Sequence, residues 1–200
     1  MSTRKKTMLI MLSLLHGACT SNLVQDTYYS LSLGKPHYPA EVPEEQRSAR
    51  LTLTHVTLPR FLDKQNLVMQ NGAHTLVSAH HHFWAEPLED GIAKVLVQEI
   101  MHVSKSLRVE RNAGRWASKG HCSLRLEFDA FHPTEAGQVI SSGRFWLQGS
   151  EKDNVVVQTF SYSDNLLRDG YPQVVEQLRA SLQNVASTIV TSIEQNHVCN

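Results

Sequence analysis

The segment after Gly170 repeats apolar residues at helical spacing: Val174, Val175, Leu178, Leu182, Val185, Ile189 and Ile193. A stripe this regular must lie against another apolar surface. A second stripe, Leu88, Ile92, Val95, Leu96, Ile100 and Val103, follows Glu86 and Pro87. Proline suits the first helical turn, where its missing N–H costs nothing, and Gly91 weakens the helix only slightly. Two amphipathic helices require a sheet to cover. Period-two alternation predicts strands over residues 28–33, 50–56, 67–69, 75–77, 122–131, 139–147 and 155–161. On this pattern Tyr29, Leu31 and Leu33 share one face of the first strand, and Leu51, Leu53 and His55 share one face of the second. Asn71-Gly72 marks a hairpin turn, and the last three runs predict an antiparallel meander. The expectation is an α+β single domain, a largely antiparallel sheet of about six strands packed by two amphipathic helices.

The N-terminus has a different character. Arg4, Lys5 and Lys6 precede an apolar run over residues 8–15, and Gly17 and Ala18 stand directly before Cys19. This is the layout of a secretory signal, and the run is too short to span a bilayer core that needs about 20 apolar residues. The stretch LLHGAC resembles a bacterial lipobox, with His16 where Leu is usual and Leu15 one residue further back. An ordinary secretory signal with an incidental Cys is the alternative. The lipobox reading divides the chain into a signal peptide over residues 1–18, a lipidated tether over 19–26 and a periplasmic domain over 27–200. Thr20, rather than Asp, follows the cysteine, which by the lipoprotein sorting pattern points to the periplasmic face of the outer membrane.

Removing residues 1–18 removes three basic and no acidic residues, leaving 16 Lys and Arg against 19 Asp and Glu. A net charge of −3 argues against nucleic acid as a partner. Residues 35–47, rich in Pro and charge, read as a connecting loop. Cys122 and Cys199 remain besides Cys19, and the periplasm is oxidising. They form either a disulfide or two separate thiols with Cys122 in the core; sequence does not bring them within bonding distance.

Catalytic motifs are lacking: no G-x-S-x-G, P-loop, G-x-G-x-x-G or H-E-x-x-H occurs. His80, His81 and His82 form the one cluster with ligand chemistry. On a strand His80 and His82 share a face, yet two imidazoles rarely make a metal site, and His74 and Glu86 are only sequence neighbours. Glu86, Glu89 and Asp90 are read as carboxylates favoured by the helix dipole rather than as an acid/base pair. No catalytic residue, metal site or cofactor is assigned.

YYSLS (28–32), LTHVTLPRFLDKQNLVMQ (53–70), FWAEPLEDGIAKVLVQEI (83–100) and the closing helix together resemble the PqiC-type, or ABC-type transport auxiliary, lipoproteins. Pro59, Leu62, Asp63, Trp84, Glu86, Pro87 and Leu88 match the motif positions. The resemblance implies a non-enzymatic accessory subunit of an MCE-type intermembrane lipid transport system. It further implies an MCE-domain protein anchored in the inner membrane as partner, the outer-membrane bilayer as the surface of attachment through Cys19, and a homo-oligomer. The competing readings are a lipid-anchored periplasmic hydrolase or metal-binding enzyme, and a lipid-binding shuttle.

Overall fold

The computed structural model describes residues 24–33, 49–111, 121–150 and 154–199. The signal segment 1–18, Cys19, the first part of the tether and the 35–47 connection lie outside them. The described elements are β1 (Thr27–Tyr29), a 3-10 turn (Leu31–Leu33), β2 (Ala49–Thr57), β3 (Asn66–Asn71), β4 (Thr75–Trp84), α1 (Leu88–Val103), β5 (Leu107–Arg111), β6 (His121–Pro133), β7 (Gln138–Gln148), β8 (Val155–Asn165) and α2 (Tyr171–Asn196).

The class is α+β with two helices, and the eight described strands are divided between two sheets. A three-stranded sheet has the order β1-β4-β3 and a five-stranded sheet the order β5-β2-β6-β7-β8. The β6-β7-β8 meander is antiparallel as expected, whereas β2 runs parallel to both its neighbours and β1 runs parallel to β4. A parallel pair needs a long crossover, and here the β3-β4 hairpin and α1 lie between β2 and β5. The α+β class, the single domain and the two helices are as expected; the described strands number eight rather than about six and lie in two sheets rather than one. Glu135 N–H donates to the Gln70 carbonyl at 2.8 Å, tying the small sheet to the turn between β6 and β7.

The core lies between the helix pair and one face of the large sheet. Ile92, Val95, Leu96 and Ile100 of α1 and Leu178, Leu182, Val185 and Ile189 of α2 are buried with Leu51, Leu124, Leu126, Phe128, Phe145 and Leu147 from the strands. Phe128 meets Phe131 and Phe160 edge-on, with ring centroids 5.4 and 5.3 Å apart, a geometry that aligns ring edges with π faces. The buried Arg179 donates to Glu99 Oε1 at 3.1 Å and to the Leu31 carbonyl at 2.9 Å. One guanidinium thereby joins both helices to the N-terminal segment. Removing one partner of such a buried pair commonly costs about 3–5 kcal/mol, because the other charge is stranded.

Three local expectations change. The run over residues 28–33 is not one strand: Ser30 Oγ accepts the Ser32 N–H at 3.2 Å, drawing the backbone into the 3-10 turn. Such local hydroxyl bonds compete with a sheet ladder. Leu31 is consequently buried and Leu33 is 83% exposed, so the two do not share a face. In β2 the register shifts between Leu53 and His55, and Thr54 Oγ1 donates to the Leu124 carbonyl at 3.0 Å. The bulge reverses the alternation, leaving His55 exposed and Val56 against the core. Finally, β4 continues through the three histidines to Trp84.

The C-terminus is fixed to the sheet. His197 takes a left-handed conformation (φ 51°) and turns the chain back after α2, burying Val198. Cys199 is bonded to Cys122 at the start of β6, with Cα atoms 5.0 Å apart. Gly149 makes room for this return, because a Cβ there would stand 2.7 Å from the Val198 carbonyl oxygen.

Candidate functional site

The motif residues converge at one end of the small sheet. Pro59, Leu62 and Asp63 lie in the turn after β2, where the Pro59 carbonyl accepts N–H bonds from Leu62 at 2.9 Å and Asp63 at 3.3 Å. Trp84 closes β4 and its N–H donates to the Gln65 carbonyl at 2.6 Å, so turn and strand end are neighbours. Pro87 caps α1 from just outside the helix; its carbonyl accepts from Asp90 and Gly91 at 3.0 and 3.1 Å. Leu62, Trp84 and Leu88 are buried, whereas Asp63 and Pro87 are exposed.

Glu86 is the polar centre of this junction. Its Oε1 accepts from Ser30 Oγ at 3.1 Å and Ser32 Oγ at 3.2 Å, and its Oε2 is held by Lys94 Nζ. Burial pushes the Glu86 carboxyl up, but the bonds from Lys94, Ser30 and Ser32 together with the Lys94 charge more than offset it and hold it below the usual carboxylate value. Sequence reading placed Glu86 at the helix start, as a carboxylate favoured by the dipole and a motif position, without naming its partners. Its partners 54 and 56 residues upstream gave no local signal, although the alternate serines of YYSLS supplied them.

Beside Glu86 the parallel pairing of β1 with β4 sets Thr27, Tyr28 and Tyr29 opposite His82, Phe83 and Trp84. Tyr29 Oη is 3.0 Å from His82 Nδ1, and the His82 ring stacks on Tyr171 at 3.7 Å between centroids. Burial first, then neighbouring Tyr171, pushes the Tyr29 hydroxyl above its ordinary value. His81 Nδ1 is 2.9 Å from Asp26 Oδ1. Two of the three histidines thus fasten β1 and the start of α2 to β4. No group of three or more His, Cys, Asp or Glu side chains placed to hold a metal ion occurs among the described residues. Tyr28 stacks on Phe83, centroids 5.5 Å apart, a pair the sequence reading did not single out.

A shallow cleft of about 290 Å³ lies between β2 and the first turn of α1, lined by residues 53–56, Glu89, Asp90, Ala93 and Arg111. Arg111 Nη2 is 2.6 Å from Asp90 Oδ1, so one of the two carboxylates in the first turn of α1 is already paired. Lys94 and Ser30 are bound to Glu86, and neither cleft nor junction sets a nucleophile beside a base and an orienting acid.

The geometry can be set against known proteins. The chain is 23% identical over 191 residues to the intermembrane transport lipoprotein PqiC of Escherichia coli (strain K12), covering 96% of this chain and 98% of that one. PqiC of Shigella flexneri gives the same figures. Among solved structures, an uncharacterised protein superposes with a TM-score of 0.71 at 20% identity, over 84% of this chain and 99% of that chain. Protein XCC0632 from Xanthomonas campestris superposes with a TM-score of 0.63 at 16% identity, over 86% and 96%. These two likenesses show the fold. The family model for the ABC-type transport auxiliary lipoprotein component matches residues 29–190, from the end of β1 through the Glu86 junction to most of α2. With that match spanning most of its length, this chain belongs to the ABC-type transport auxiliary lipoprotein component family.

Proposed function

We propose that this protein is a non-enzymatic accessory subunit of an intermembrane lipid transport system, held to the periplasmic face of the outer membrane by lipid on Cys19. It acts with an MCE-domain protein anchored in the inner membrane. The observation that carries this reading is the near end-to-end match to PqiC, whose name describes an intermembrane transport lipoprotein. An anchor made of lipid fits a chain in which no described helix is long and apolar enough to cross a membrane. A lipoprotein bearing three acyl chains is held firmly, since each buried methylene contributes about 0.8 kcal/mol.

The assembly is a homo-oligomer in this proposal. Strand β8 ends the large sheet among the described residues, and its eleven residues include no Pro, Lys or Arg. Val155 and Val157 on it are 47% and 56% exposed. Edge strands without such protective residues readily pair with another chain. The hydrolase or metal-enzyme alternative gains nothing from the His cluster, because His81 and His82 are engaged with Asp26 and Tyr29.

The test is affinity purification of the full-length lipidated protein from detergent-solubilised envelopes, with co-purifying proteins and lipids identified by mass spectrometry. Recovery of an MCE-domain protein is the expected result. Recovery of the lipoprotein alone, with envelope permeability unchanged on deletion, would overturn the transport reading.

A further inference from the structure

Three apolar side chains among the first described residues point outward. Val24, Tyr28 and Leu33 are 67%, 56% and 83% exposed, three of the nine large hydrophobic residues exposed among the described residues, all within ten positions. Phe83 extends this surface by stacking on Tyr28 across the β1–β4 pair. Neighbouring residues on the same two strands face the opposite way: Trp84 is buried and Tyr29 bonds His82. The aromatic pair therefore stands on the outer face of the small sheet.

Charge of the right sign lies beside it. The turn that holds Arg60 and Lys64, both exposed, is drawn to this strand end by the Trp84 N–H bond to Gln65 and by the pairing of Asn66 with Phe83. Asp63 shares the turn, and Asp26 on the same rim is engaged by His81. Tyrosine and phenylalanine next to Lys and Arg match the chemistry of a headgroup layer, where aromatic rings settle at the interface and cations meet phosphates.

Covalent reach identifies which membrane. Thr27 follows Cys19 by eight residues, and a fully extended chain of that length spans at most about 29 Å. A bilayer holding lipid on Cys19 must lie within that distance of β1.

We propose that the Tyr28–Phe83 face of the small sheet rests on the headgroup layer of the bilayer in which the Cys19 lipid is inserted. This rests on the lipid-anchor part of the function proposed above. Contact at this face fixes the orientation of the domain, which attachment at Cys19 alone would not set.

The experiment uses the mature lipidated protein on vesicles of phosphatidylethanolamine and phosphatidylglycerol, with a protease site inserted between Ser21 and Asn22. Hydroxyl-radical footprinting by mass spectrometry compares the protein on vesicles with the same domain after proteolytic release. Oxidation of Tyr28 and Phe83 is expected to be several-fold slower on vesicles, with Trp146 and Val157 on the large sheet unchanged. Equal rates in both states, in protein that still floats with the vesicles, would overturn the docking and leave the anchor intact. Slow oxidation of Tyr28 in the released domain that speeds up on dilution would give the face to a second copy of the chain and also overturn it. Protein that does not float with vesicles at all would remove the anchor and the docking together.

Discussion

Glu86 is the residue on which the N-terminal segment, β4 and α1 converge. Because its carboxyl is held below the ordinary value of 4.5, the ionised form contributes stability at neutral pH. That contribution is full above the unfolded value and is lost as pH falls through the folded one. Glu86→Gln is accordingly expected to be less stable than the parent by about 1 kcal/mol at pH 7, the scale of a partly exposed charge-assisted bond. Urea denaturation at a series of pH values should show the two proteins converging below pH 4.5; a constant gap down to acid unfolding would mean the charge of Glu86 is not what holds the junction. The same residue marks the limit of sequence reading. WAEPL located a helix start correctly, but Ser30, Ser32 and Lys94 become its partners only through tertiary folding.

Among the elements, the strands show most clearly how a local irregularity is built in. In the β6–β7 pair Phe128 faces Gly143 and Ala130 faces Ser142, so Asp129 is an inserted bulge residue. A Cβ on Gly143 would fall 2.1 Å from the Glu127 carbonyl oxygen and 2.8 Å from Phe128 Cα, both backbone atoms that cannot yield cheaply. Gly143→Ala is expected to lower stability by about 1–3 kcal/mol, as overpacked sites do, and the shift in urea midpoint measures it. A variant as stable as the parent would show that the bulge can relax. The helices were legible because their stripes are long and periodic, and the β6-β7-β8 meander because each strand alternates over many residues. Strand β5, five residues long and separated from α1 by only three, carries too short a pattern to stand out. The parallel setting of β2 was hidden for another reason: alternation within one strand says nothing of the direction of its neighbours. Thr54 and Ser30 hid two more departures, a bulge and a 3-10 turn, behind residues that read equally well as strand.

At the scale of the whole molecule, the bond between Cys122 and Cys199 closes a loop across 77 positions, joining the start of the meander to the chain's end. In the chain-entropy treatment such a closure contributes about 4 kcal/mol by restricting the unfolded ensemble. Reduction, or paired Cys122→Ala and Cys199→Ala replacement, is expected to lower the unfolding free energy on that scale. Alkylation of the unreduced protein under denaturing conditions should leave both residues unmodified; modification of both would show that the bond is not formed in the isolated protein. The other terminus of the domain is secured without covalent help. β1 runs parallel to β4 through three register pairs, and the carbonyl of Leu31 just beyond it is gripped by Arg179. Tension applied ahead of Thr27 would therefore act along the strand axis, straining the three pairs together in shear rather than peeling them apart one by one. Whatever load passes them would be shared between the Ser30 and Ser32 bonds to Glu86 and the Arg179 guanidinium that reaches both helices, giving the domain its mechanical resistance at the end from which it would be pulled.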